Sequence, residues 1–201
     1  MSETLREPGL ELPTASPAGS SGALAGSLAA TLLASLAAEH LERASSDKAE
    51  DDLRAIRDRA LSLRRDLVAI VERLEQAARA VDRSRRSTRL PSQQAAERLR
   101  ALLFASEVPL RAAESCHALL NLSLRALGKI GVKGIAEIGT ASALAFAGVV
   151  GGVVTARLFL ADIPSGSGVG VSVTRKRAER IFREAEALRT QITDRVRQHL
   201  P

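Results

Sequence analysis

Leu53 to Val81 reads LRAIRDRALSLRRDLVAIVERLEQAARAV, with apolar residues at Leu53, Ile56, Ala60, Leu63, Leu67, Ile70, Leu74, Ala77 and Val81. The steps between them alternate 3 and 4 through four heptads, the repeat of a narrow apolar seam along one face of a long helix. A strand alternates every second residue, and nothing in the stretch does. Working outward, the same periodicity recurs at Ala178, Ile181, Ala185, Leu188 and Ile192. Composition agrees. The 201 residues include 35 Ala and 29 Leu, no Trp, no Tyr and only four Phe. Ala and Leu favour helix, whereas the aromatic and β-branched residues that build strands are thin. An all-β sandwich or barrel is excluded, as are nucleic-acid platforms that stack bases on rings.

The chain carries 29 Lys plus Arg against 23 Asp plus Glu, a net charge of +6. Two stretches hold most of the excess: Arg79–Arg100 has seven basic and two acidic residues, and Arg175–Arg197 eight and four. Either could meet an anionic ligand, but neither carries a recognition motif, so both read as solvated helix faces and no nucleic-acid partner is expected. Cys116 is the one cysteine, which excludes an intramolecular disulfide and a disulfide-stapled secreted fold. The first thirteen residues hold three Glu and one Arg, unlike the basic start of a signal peptide. A cytoplasmic protein is expected.

Along the chain, residues 1–19 read as a mobile arm ending in the turn Ser16-Pro17-Ala18-Gly19, and 20–201 as a single helical domain. Ser20 or Ser21 is the expected N-cap of a first helix over 22–43, and Asp47 that of the second. A third helix starts near Ser92 and runs to about Leu127, with a kink or break between Ser106 and Leu110 imposed by Pro109. Gly128, Gly131 and Gly134 form a loop, a fourth helix spans 135–161, and a fifth spans 174–199. The fold class is thus all-α, an up-and-down bundle of about five long helices. The glycines of 164–170 lack a preceding strand and a Lys-Ser/Thr ending, so they are not a phosphate loop.

Leu12–Ala38 and Ile138–Ala156 carry no charge, the second being 19 residues long. Ala, Gly, Ser and Thr dilute both. Gly22 and Gly26 in one, and Ala141, Ala145, Gly148 and Gly152 in the other, allow helix backbones to approach closely. Buried helices are apolar all round for this reason, and no membrane span is expected. Two such helices need more cover than one chain of this length provides, so a symmetric homodimer is expected.

The order of elements resembles a known family. The Ala-rich start SPAGSSGALAGSLAA (16–30), the long second helix, Leu90-Pro91, Ser106-Glu-Val-Pro-Leu110 and GGVVTARLFL (151–160) together look like the formiminotetrahydrofolate cyclodeaminase and methenyltetrahydrofolate cyclohydrolase family. The resemblance implies an all-α fold that dimerises tightly and binds reduced folate in a groove beside the dimer interface. It also implies chemistry on the one-carbon bridge between N5 and N10, in which a carboxylate or comparable base moves a proton.

Most of the family's site positions are altered. Its triple glycine aligns with Pro17, Ala18 and Gly19, followed by Ser20. Its lysine cluster falls on Glu42, Arg43, Ala44 and Ser45, which leaves Arg43 as the one base. The second-helix aspartate falls on Arg73 or Leu74, while the adjacent Glu72 and Glu75 point to other faces. The Asn positions fall near Gly131 and Lys133, and the Ser-Asp pair on Ala136 and Glu137. Arg157 matches a position that is often basic.

The resemblance therefore leaves Glu137 as the catalytic candidate and Ser20, Arg43 and Arg157 as candidates for binding folate. Each also has a structural reading. Glu137 fits as a first-turn acid in the field of its helix. Arg157 can snorkel or pair with Asp162, Ser20 can cap, and Arg43 can lie on a solvated face. His40 reads as a surface histidine or a proton shuttle. Cys116 and His117, adjacent on a helix, point about 100° apart and form neither a catalytic dyad nor a metal site. The reading that follows is a cyclodeaminase/cyclohydrolase-like helical protein related to folate one-carbon metabolism, with degraded or lost catalysis, acting as a binding or scaffold dimer. The other reading is an active enzyme that hydrolyses 5,10-methenyltetrahydrofolate or deaminates 5-formiminotetrahydrofolate. A tetrahydrofolate derivative would be its substrate, with no metal.

Overall fold

The computed structural model describes residues 17–44, 46–86, 88, 90–130, 134–164 and 169–199. Five helices follow one another: α1 (Pro17–Leu41), α2 (Asp47–Arg85), α3 (Pro91–Ile130), α4 (Ile135–Ala161) and α5 (Val169–Arg197). The described residues form an all-α bundle. Helix α1 packs on α2 and α4, α3 packs on the same two, and α5 lies across α3 and α4. The close approaches give the directions. Gly19 meets Leu74 and Thr155, Gly26 meets Leu67, and Gly134 meets Leu36. Neighbouring helices therefore run antiparallel, up and down.

All nine seam residues of α2, from Leu53 to Val81, are buried, and Ser84 extends the line by one step. In α5, Ala178, Ile181, Ala185 and Ile192 are buried, while Leu188 is half-buried. The apolar helices α1 and α4 pack by their small residues. A Cβ on Gly22 would stand 3.2 Å from the carbonyl oxygen of Gly148. One on Gly152 would stand 2.4 Å from that of Pro109, and one on either Gly26 or Gly148 would stand 2.4 Å from Cys116 Sγ. The spacing of four thus serves a close-packed core in which α1, α3 and α4 cross around one sulfur. Both α1, over Gly19–Leu41, and α4 are long and apolar enough to cross a membrane by length and composition.

Several local expectations are corrected. Helix α1 begins at Pro17, so Ser20 lies inside its first turn and not at the N-cap position. Residues 1–16 of the expected arm lie outside the described residues. Ser46 rather than Asp47 caps α2: its side chain accepts the Ala49 amide at 3.3 Å, while Asp47 and Glu50 occupy the first turn. Helix α3 starts on Pro91, whose fixed φ and missing N–H suit the first position, and it continues past Gly128 to Ile130. It also runs unbroken through Pro109, because Val108, Pro109 and Leu110 are all buried and packing holds both sides of the lost hydrogen bond together. Residues 131–133 of the expected glycine loop lie outside the described residues. Helix α5 begins five residues earlier than expected. None of the four phenylalanines is fully buried: Phe104 is 46% exposed, and Phe146, Phe159 and Phe182 pack half-buried against the core. Phe146 and Phe182 pair at 6.3 Å between centroids, with the Arg189 guanidinium 4.7 Å from the Phe146 ring, which fastens α5 to α4.

Candidate functional site

The positions that carry the resemblance converge at one end of the bundle, where the start of α1, the later part of α2 and the end of α4 meet. A Cβ on Gly19 would lie 3.3 Å from Thr155 Oγ1 and 3.4 Å from Leu74 Cδ2. Ser20, beside Gly19, is buried, and Arg157 follows two residues after Thr155. This corner is closed and mostly apolar. Leu74 is 3% exposed, and the Thr155 hydroxyl is buried without a hydrogen-bond partner among the described residues. An orphaned buried hydroxyl costs free energy, so its presence marks a place where packing has overridden polar satisfaction. Of the two residues on which the family's aspartate falls, Leu74 faces this corner, and Arg73 opens instead onto a cleft between α2 and α5. Neither supplies a carboxylate.

The four candidate residues divide between the two ends of the bundle. Glu137 is exposed in the first turn of α4, and Arg157 is exposed near its other end. They are 20 residues apart in one helix, about 30 Å at the helical rise. Arg43 lies just beyond α1 at the Glu137 end, exposed and paired with Glu39 at 3.3 Å. Within one chain, Ser20 and Arg157 therefore do not meet Glu137 and Arg43. The pairing of Arg157 with Asp162 is also corrected: Asp162 accepts from Arg85 at 3.1 Å. His40 directs Nδ1 to the Leu36 carbonyl at 3.0 Å. Burial pushes the Cys116 thiol up to about 12, so at neutral pH it is a protonated core group and no nucleophile.

One polar cluster had no local signal in the sequence. Arg177 of α5 grips Glu114 through Nε and Nη2, both at 2.6 Å. Its Nη1 reaches both oxygens of Glu107, at 3.0 and 3.1 Å. Hydrogen bonding to Glu114, and then to Glu107, pushes the Arg177 pKa upward. Arg177 and Glu114 line a cleft of about 430 Å³ over α3, together with Asp66, Arg73 and Arg111. Both gripped carboxylates are committed to this contact, which fixes α5 onto α3. Glu107 belongs to the Ser-Glu-Val-Pro-Leu segment, whose other polar member, Ser106, donates to the Leu103 carbonyl at 2.8 Å. With the Pro109 carbonyl set against Gly152, that motif is a packing device and not a source of reacting groups. Among the described residues, no cluster of three His, Cys, Asp or Glu could hold a metal ion.

No curated protein matches the sequence. Among solved structures, the fold is similar to the crystal structure of formiminotetrahydrofolate cyclodeaminase from Thermotoga maritima, with a TM-score of 0.76. The two share 18% identity over 92% of this chain and 88% of that one, a likeness of fold. The sequence pattern described as formiminotransferase-cyclodeaminase matches residues 10–165, well over half of the chain. The close packing of α1 on α4, the seam of α2 and the Ser-Glu-Val-Pro-Leu segment all lie within that match, and the chain belongs to the formiminotransferase-cyclodeaminase family.

Proposed function

We infer that the chain is a cytoplasmic helical homodimer related to folate one-carbon metabolism, with catalysis lost, that serves as a binding or scaffold subunit. The observation that carries this reading is Leu74. Of the two positions on which the resemblance places an aspartate, Arg73 is a cation and Leu74 is a buried leucine beside Gly19, so neither offers a carboxylate. Proton transfer at a one-carbon bridge needs a placed acid or base, and loss of such a group costs orders of magnitude in rate. The carboxylate that the resemblance retains, Glu137, stands about 30 Å along α4 from Arg157.

Support for the dimer comes from the outer faces of α1 and α4. Leu24, Leu28, Val154 and Leu158 are 40%, 57%, 44% and 63% exposed on two helices that lie side by side. A second copy is the economical cover for such an apolar face. A second reading, an active folate enzyme, draws on one observation: the Glu137 carboxylate is exposed and open to a ligand presented by a partner copy.

Ultrafiltration with 5,10-methenyltetrahydrofolate tests the binding role, and detergent-free sedimentation tests the assembly. Retention of the folate by the protein, at twice the 21.3 kDa chain mass, is expected. No retention would rule out the folate-binding role and leave a scaffold. A monomer would remove the dimer, and aggregation rescued by detergent would point to a membrane instead.

A further inference from the structure

The last turn of α2, the first turns of α3 and the chain leaving α4 enclose a cleft of about 410 Å³. Helical spacing on α3 brings Pro91, Ala95, Leu99 and Leu102 to one face of it, with Leu102 fully buried as its floor. The charged groups in the lining are Arg85, Arg98 and Asp162.

Their pairing decides the ligand. Arg85 Nη2 already holds Asp162 Oδ2 at 3.1 Å. Arg98 makes no ion pair among the described residues. Arg85 is also shared with Asp82, whose Oδ1 lies 3.9 Å from its Nη1, so the unpaired positive charge of the lining is that of Arg98, above an apolar floor. Helix α3 adds to it, since its first turn carries no acid. A guanidinium fork matches a carboxylate or phosphate, and the low-dielectric floor strengthens that pairing.

We propose that this cleft binds a small organic anion with an apolar body, its carboxylate or phosphate on Arg98 and its hydrocarbon on Leu99 and Leu102. This gives part of the arginine-rich stretch 79–100 a role that the folate reading does not supply. It is also independent of that reading, because Ser20, Glu137 and Thr155 are not in the lining.

Titration calorimetry of the full chain with octanoate, and with octylammonium as its cationic counterpart, tests the proposal. Octanoate is expected to occupy one site and octylammonium none. Arg98→Ala should weaken octanoate by about tenfold or more with an unchanged circular dichroism spectrum. Ala95→Glu, at an exposed position of the lining, adds a carboxylate and should abolish binding. Sedimentation with phosphatidylserine vesicles, against phosphatidylcholine, separates the sources of the anion. Pelleting that depends on Arg98 identifies a lipid headgroup; octanoate binding without pelleting identifies a free small molecule. Equal binding of the two probes, octanoate binding indifferent to both substitutions, or no octanoate binding at millimolar concentration overturns the proposal.

Discussion

Gly152→Ala probes the packing that defines this fold. The new Cβ would stand 2.4 Å from the Pro109 carbonyl oxygen, and 3.0 Å from both the Ala113 Cβ and its amide nitrogen. A carbon and a carbonyl oxygen ordinarily approach no closer than about 3.3 Å. Helices α3 and α4 must therefore separate by nearly 1 Å. Two of the three obstructing atoms are backbone, so no side-chain rotation relieves the clash. Overpacking of this kind costs about 1–3 kcal/mol or more, offset by about 1 kcal/mol of helix propensity gained on replacing glycine. A net loss of about 1–2 kcal/mol is expected, which for a chain of this size lowers Tm by roughly 2–8 °C. Gly128→Ala, also within a helix but facing open space, should gain up to about 1 kcal/mol. With no Trp or Tyr to report by fluorescence, urea unfolding followed by circular dichroism is the suitable assay. A Gly152→Ala protein as stable as Gly128→Ala would refute the packing argument.

Other consequences are equally specific. The raised Cys116 thiol keeps its proton in the folded state after the unfolded chain has lost it near pH 9. Stability should therefore fall by up to about 1.4 kcal/mol per pH unit between about pH 9 and 12, and Cys116→Ala should flatten that slope in pH-dependent urea titrations. Arg177→Lys cannot hold both carboxylates, so a loss of about 1–2 kcal/mol is expected in urea unfolding; no change would mean that the cluster is solvated. Ser46→Ala should cost about 1 kcal/mol as the true cap of α2, measured in the same way, whereas Asp47→Ala should cost less.

The parts of the fold that were legible in the sequence were those with period. The α2 seam, the bounds of α4 and the close-packing role of Gly22, Gly26, Gly148 and Gly152 all follow from spacing. Helix starts were misread because Ser20, Asp47 and Ser92 are good caps in isolation, while Pro17, Ser46 and Pro91 lie one to three residues earlier and fix the entry of the chain. Pro109 signalled a break that buried neighbours on both sides suppress. The Arg177 cluster had no local signal, because Glu114 and Glu107 lie 63 and 70 residues away. The division of the candidate residues between two ends was implicit in the sequence, since 20 helical residues between Glu137 and Arg157 already imply about 30 Å. Whether Arg73 or Leu74 faces the corner with Gly19 depends on helix rotation, which only the packed bundle supplies.

Loss of the chemistry from a retained cyclodeaminase fold is the proposal on which the functional reading turns. It is tested most directly by the decay of 5,10-methenyltetrahydrofolate absorbance with the wild-type protein and with Glu137→Gln. Decay at the buffer rate is expected with either protein. Acceleration by the wild type that disappears in Glu137→Gln would contradict it.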